Sequence, residues 1–425
     1  MASLLLIPGV SPLPGQEPTP QRPPEEAQEA EPTQPAENAE QAAPAPPPPP
    51  EGILPVAEIA RIAYTPRDRP QIMLHGNRLV VVTASGAVEG HDAQSGEFRW
   101  RLGLPGETLY PPVVLRSSPF EILLSSAAGR VFVVDAETGE IRRERELPFA
   151  LALEPLPAGA HVVAATPAGE VIAFDLETGE ERFRATTPEA PSALASSGKL
   201  LVASGSERTL TAIDASGGSV VWAIRGRSPF HPPAVFGGNA NLDRLYVGND
   251  SGEFYCLDVE DGDTSYRWST GASIRHPALV EERRVYVTNY GNNLYAYHAG
   301  GGAEQWRVSL PGRPASGPVR FGLRLVVATY DGVLVEVDPE RGVPVRGFTA
   351  PGELASPPAF LVAAPGPAPE LGPDGAPLGP QWYELHRIAL ALRTGEVLLL
   401  GHQPTPPEPE KDPEKEPPPE GVLSR

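Results

Sequence analysis

The side chains best equipped for chemistry recur along this chain rather than cluster. Asp92, Asp135, Asp175, Asp214, Asp258 and Asp338 each stand four residues before a glycine. A carboxylate so placed accepts a backbone N–H two residues on, and the glycine takes the positive φ that closes a hairpin; these aspartates are turn-formers before they are bases or metal ligands. His75, His91, His161, His298, His386 and His402 show no i, i+4 helical pairing, which argues against zinc. Cys256 is the single cysteine, so an intramolecular disulfide and every multi-cysteine metal or redox site are excluded. Its alternation with Phe254 and Asp258 reads as a small buried residue of a strand. Gly300-Gly301-Gly302 precedes no strand-to-helix transition and is a loosened hairpin turn rather than a phosphate cradle.

One group of residues has a different character. Arg225, Arg227 and His231, then Arg275 and His276, then Arg313, lie between repeated units, while Tyr290, Asn292 and Tyr330 lie in or near neighbouring turns, as do Asn249, Asp250, Asn293 and Asp331. Arginine with tyrosine and asparagine on an otherwise acidic chain is the composition of a protein interface. These residues are the candidate partner-binding site. The same arginines leave open a small anionic ligand, and ordinary solvated loop charge is the plain alternative.

A period near 40 residues supplies the elements that position them. The turn glycine recurs at Gly96, Gly139, Gly179, Gly218, Gly262, Gly302 and Gly342, with spacings of 43, 40, 39, 44, 40 and 40. A second turn glycine falls about ten residues earlier in most copies, at Gly86, Gly129, Gly169, Gly252 and Gly332, with Gly291 near the matching place. Prolines at 70, 112, 155, 191, 233, 277, 318 and 358 open a further strand in each copy. Short β-branched runs such as Leu79-Val80-Val81-Val82-Thr83 fit strands and not helices. Each copy is thus a four-stranded antiparallel unit, which buries both faces only by joining others in a ring. The last copy has three strands, and Thr394-Gly395-Glu396 is its middle turn; the missing fourth strand is the orphan from Pro55 to Ile62. The expectation is an all-β, eight-bladed propeller over residues 52–402 whose last blade is closed by the N-terminal strand.

Both ends of the chain have another composition. From Ser11 to Glu51 there are 14 prolines, eight acidic residues and nothing larger than alanine that is apolar except Leu13. Such a segment buries too little to offset the entropy of ordering, so residues 1–51 are expected to be a signal-like start, Leu4 to Ile7, followed by a disordered linker. Residues 403–425 carry eight prolines and alternating glutamate and lysine, and are expected to be a disordered acidic tail. The net charge of −20 excludes an electrostatic field for nucleic acid. No run of 18 apolar residues offers a spanning helix.

The string His91-Asp92-Ala93-Gln94-Ser95-Gly96-Glu97-Phe98-Arg99-Trp100 resembles the tryptophan-docking motif of pyrroloquinoline-quinone-like (PQQ-like) propeller repeats. Trp100, Trp222, Trp268 and Trp306 close the motif in their copies, with Phe183 at the same offset in the third. The resemblance implies that these rings pack between neighbouring blades. The family has an enzymatic branch, the quinoprotein dehydrogenases, which holds the quinone and Ca²⁺ over the central channel with a catalytic aspartate. Its adjacent-cysteine disulfide has no counterpart here. The chain is more similar to the non-enzymatic branch represented by BamB, in blade number and lack of insertions, although no lipobox cysteine follows the apolar start. That similarity implies a non-catalytic, monomeric scaffold for a protein partner, without cofactor or metal, extracytoplasmic or periplasmic in a bacterium. A quinone-dependent dehydrogenase is the alternative.

Overall fold

The computed structural model describes residues 52–54, 56–159, 161–237, 243–362 and 385–402. These contain 32 strands in eight antiparallel sheets of four, arranged as an eight-bladed β-propeller. Blade 1 consists of β2 (Gln71–His75), β3 (Arg78–Val82), β4 (Ala87–Asp92) and β5 (Phe98–Gly103), which serve as its strands A to D. Blades 2 to 7 follow in the same order, and their last D strand is Pro344–Thr349. Blade 8 takes strands A to C from β30 (Ala359–Leu361), β31 (Arg387–Ala391) and β32 (Glu396–His402). Its D strand is β1 (Val56–Ala63), antiparallel to β32 with Val56 opposite His402 and Ala63 opposite Glu396. The chain therefore closes its ring with its own N-terminal strand, as the missing fourth strand of the last repeat required. Pro55, the proline-rich stretch 364–380 and the two end segments lie outside the described residues.

The central strands are largely buried and rich in apolar residues because both faces of each blade are covered. Leu79, Val80, Val81 and Val82 are all buried. The apolar residues fall into eight clusters, and each is shared by two neighbouring blades. One of them joins Leu74, Leu79 and Val81 of blade 1 to Ala389, Val397 and Leu399 of blade 8, which makes the ring continuous.

The turns between strands C and D form as their residues dictate. One carboxylate oxygen of Asp92, Asp135, Asp175, Asp214, Asp258 and Asp338 accepts backbone N–H groups two or three residues on, at 2.7–3.0 Å. In blade 6, His298 does the same work: its Nδ1 accepts the N–H of Gly300 and of Gly301 at 3.2 Å. The seven turn glycines have φ between 67° and 77°. Space as well as dihedral demands glycine here. A Cβ on Gly139, Gly262 or Gly342 would stand 2.5–2.7 Å from the indole of Trp100, Trp222 or Trp306, projected from the preceding blade. Each of these indoles also donates to a carbonyl of the turn it covers, Ala136, Val259 and Pro339, at 2.9 Å.

Two details differ from the sequence reading. Trp268 does not stand at the position of the other three tryptophans. Tyr266 does, facing Cys256 as Trp222 faces Ala212. Trp268 lies two residues further on. Because side chains alternate with a period of two, it stays on the same face of the strand. It stacks on Tyr297 at 4.1 Å and donates to Gly302 O, while the Tyr266 hydroxyl donates to Ala299 O. The second difference concerns the B–C turn of blade 6, where Asn292, at φ 60°, takes the left-handed position instead of Gly291. Asparagine is the residue that best substitutes for glycine there.

Ring closure rests on two residues ahead of β1. Ile53 and Leu54 are buried between blades 7 and 8. Glu336 accepts the Leu54 N–H at 2.8 Å, Arg346 donates to the Leu54 carbonyl at 2.6 Å, and His402 Nδ1 lies 2.9 Å from the Ile53 carbonyl. Arg346 faces Glu336 across the ladder, where Trp100 faces Gly90 in blade 1; the Leu54 carbonyl thus stands in for the turn carbonyls that the indoles bond.

Deleting residues 53–63 is expected to lower the single thermal transition of the whole ring, followed by calorimetry; an unchanged transition would show that closure does not depend on this strand. Burial pushes the Glu336 carboxyl above its usual value, against the N–H groups of Leu54 and Ile53 and the nearby Arg346 and Arg324. A raised folded-state pKa means that its stabilisation is complete below the ordinary carboxylate range and is lost as pH rises through the raised value. Glu336→Gln is therefore expected to gain stability relative to wild type between about pH 5 and pH 8 in denaturant titrations. Glu336→Ala, which strips the buried Leu54 N–H of its acceptor, is expected to lose about 1–3 kcal/mol at either pH.

Candidate functional site

The B–C turns and the links from strand D to the next strand A meet on one face, because each turn is bonded to the links that flank it. In blade 5, Asp250 N–H donates to Pro229 O of the link before it, and the Ile274 N–H of the link after it donates to Asn249 O, both at 3.0 Å. The rim residues expected from the sequence are on these segments, except that Arg225 ends the D strand Val220–Arg225 instead of lying in the link after it, and Asn293 opens the C strand Asn293–His298. The structure sorts them into three groups and leaves one apart.

The first group centres on Asp250. His231 Nε2 lies 2.8 Å from Oδ2, Arg275 approaches both carboxylate oxygens at 2.7 and 2.8 Å, and the Ser273 hydroxyl donates to Oδ1 at 2.7 Å. One carboxylate thus ties three segments from blades 4 to 6. The second group centres on Glu253, whose side chain is buried. Arg227 and Arg267 lie 3.5 Å from Oε1, while Tyr255 donates to Oε2 at 2.7 Å and Asn249 at 3.2 Å. Burial pushes the Glu253 carboxyl up, but the Tyr255 and Asn249 bonds with Arg267 and Arg227 more than offset it and hold the group below its usual value.

The third group borders a groove of about 660 Å³ lined by Tyr290, Asn292, Arg313, Tyr330, Asp331 and Arg393, with Glu353 beside them. The Arg313 guanidinium stands 5.1 Å over the Tyr290 ring. His276 packs against the same ring, tilted at 54° with centroids 5.8 Å apart, and its Nε2 lies 3.0 Å from Pro314 O. Burial lowers the His276 pKa, so this imidazole is held neutral. Burial and the neighbouring Tyr330 hydroxyl push Tyr290 up to about 12. The Arg393 head pairs with Glu353 at 3.3 Å, both exposed. Arg225, at the exposed end of blade 4, bonds none of the other named residues among those described.

The arrangement differs from a uniformly basic patch. Arg275 and Arg227 carry carboxylate partners, so the rim is ion-paired within itself, and its uncommitted features are the aromatic and guanidinium faces of the groove. Sequence reasoning placed Asp250 only in a turn and passed over Glu253, Ser273, Glu353 and Arg393. Asp250 and Glu253 flank Ser251-Gly252, an Asx-rich turn signal, but nothing linear announces that they face arginines from the adjoining links.

The sequence profile described as outer membrane protein assembly factor BamB matches residues 67–194, 120–223 and 206–345 of this chain in overlapping stretches. No similar sequence is found among curated proteins. Among solved structures, BamB from Moraxella catarrhalis is similar with a TM-score of 0.63 at 17% identity, over 81% of this chain and 99% of that one. The computationally designed Ika8 protein reaches 0.61 at 14% identity, over 80% of this chain and 97% of that one. Sqt1 of Saccharomyces cerevisiae reaches 0.65 at 11% identity, also over 80% and 97%. At such identities the likeness is one of fold, and a fold so widely shared does not by itself set an activity.

Asp250→Ala removes the acceptor shared by His231, Ser273 and Arg275. We expect faster amide hydrogen exchange in the links 226–234 and 270–277, unchanged exchange in blades 1 and 2, and a loss of about 1–3 kcal/mol in global stability. Uniform protection across the rim in the variant would show that the carboxylate does not organise it.

Proposed function

The chain belongs to the family described as outer membrane protein assembly factor BamB, and from that membership we propose that it is a non-catalytic β-propeller platform for protein–protein interaction. It works as a monomer outside the cytoplasm of a bacterium, in the cell envelope, and contributes to the assembly of outer-membrane proteins. Trp100, Trp222 and Trp306 are the docking tryptophans of its repeats. The observation that carries this reading is the rim of blades 4 to 8, where arginine, tyrosine and asparagine converge on a surface whose shape the ion pairs of Asp250 and Glu253 maintain. Large, stiff aromatic side chains beside arginine give contact area at low entropic cost.

Two features favour a platform over turnover. The rim carboxylates best placed to act as bases are committed to arginine, histidine, serine and tyrosine partners. Cys256, the residue most able to be a nucleophile, is buried in blade 5, where burial pushes its thiol up. A small anion at Arg275 or Arg227 would have to displace Asp250 or Glu253. A protein surface need only meet the exposed faces.

The test is capture from cross-linked cells followed by mass spectrometry. The wild-type chain is expected to recover one dominant envelope protein, and Arg313→Glu is expected to reduce that recovery at least tenfold with an unchanged melting temperature. Undiminished recovery would overturn the assignment of the rim. Oxidation of alcohols or sugars by the protein supplied with Ca²⁺ and the quinone would overturn the non-catalytic reading.

A further inference from the structure

The groove bordered by blades 6 to 8 has the chemistry to hold a proline-rich strand. Proline rings pack on tyrosine faces, and a polyproline II segment loses little entropy on docking because it is already extended. Tyr330 supplies such a face beside the Arg313–Tyr290 stack, and Asn292 adds amide hydrogen-bonding groups. Arg313 has no carboxylate within ion-pair distance among the described residues, and Arg393 shares only the exposed Glu353. A ligand that alternates proline with acidic residues would satisfy both parts of this surface.

We propose that the occupant is the chain's own segment 403–425, so that the protein carries an intramolecular competitor for its rim; this rests on the reading of that rim as a protein-binding surface. The segment has eight prolines and six acidic residues against three basic ones, including the run Glu416-Pro417-Pro418-Pro419-Glu420. Position argues for it as strongly as composition. Arg393, in the groove, lies in the turn that opens β32, and the segment departs from the far end of that same strand at His402. The seven residues of β32 span roughly 23 Å. At about 3.1 Å per residue, a polyproline II chain returns over that distance in about eight residues, which brings the Glu416–Glu420 run within reach of the groove. Tethering supplies an effective concentration in the millimolar range, so weak contacts suffice.

Asp331→p-benzoylphenylalanine places a photo-cross-linker in the groove of the full chain. On irradiation we expect cross-links to residues 403–425 with a yield independent of protein concentration. Arg313→Glu in the groove, or Glu416→Lys with Glu420→Lys in the segment, is expected to reduce that yield about tenfold; the segment variant leaves the ring untouched, so loss of fold cannot mimic the result. Absence of cross-links to 403–425 overturns the proposal, and so does a yield that rises with concentration, which would mean contact between copies. Cellular capture separates the two readings. Capture without the internal cross-link refutes the docking alone, whereas the internal cross-link without any captured partner refutes the rim's role toward other proteins.

Discussion

The constraint on which this structure depends is that the inner strands of each four-stranded blade are apolar enough to be buried on both faces. Such a sheet cannot face water on either side, so every blade needs two neighbours, and an open row would leave two exposed ends. The eight shared clusters satisfy all the faces at once. The ring is then only as secure as its last joint. At that joint no C–D turn exists to receive a side chain from blade 7, because strand D arrives from the other end of the chain. Ile53 and Leu54 fill the gap, and Glu336, Arg346 and His402 hold their backbone as the indoles elsewhere hold turn carbonyls.

The rim follows from the same construction. A meander brings its B–C turns and D–A links to one face, and backbone bonds between them leave side chains projecting from closely spaced segments. An acidic chain that gathers arginines there must balance them locally, and Asp250 and Glu253 do so across three blades. Balanced charge fixes geometry more than it attracts ligands. The groove of Tyr290, Tyr330 and Arg313 lies outside these ion pairs. Its border reaches blade 8, where both ends of the described chain meet, so the groove and the blade that closes the ring are neighbours.

Much of the fold was legible because hairpin chemistry is local. Asp214 and Gly218 belong to one turn, and their spacing is a property of a few residues. The register of Trp268 was legible in the same way, because Trp100, Trp222 and Trp306 stand four residues after their turn glycines, whereas after Gly262 it is Tyr266 that stands at four and Trp268 at six. A shift of two residues keeps a side chain on the same face, so a tryptophan two places late resembles a docking residue until that spacing is counted, and the ladder agrees with the count. Asn292 is marked by the same arithmetic, since it stands ten residues before Gly302 as Gly252 stands before Gly262, although residue type alone favours the neighbouring Gly291.

The sequence by itself determined the all-β class, the number of repeats, and the need for the N-terminal strand to complete the last one. These follow from period, turn chemistry and the count of strands, all of which are written along the chain. Which rim charges are free was decided by the tertiary structure alone. Arg275 and Asp250 are 25 residues apart, and Arg393 lies 80 residues beyond Arg313, so their partnerships arise only when the ring brings separate links together. Electrostatic pairing depends on distance through space, and the linear order of residues carries no record of it until the blades are closed.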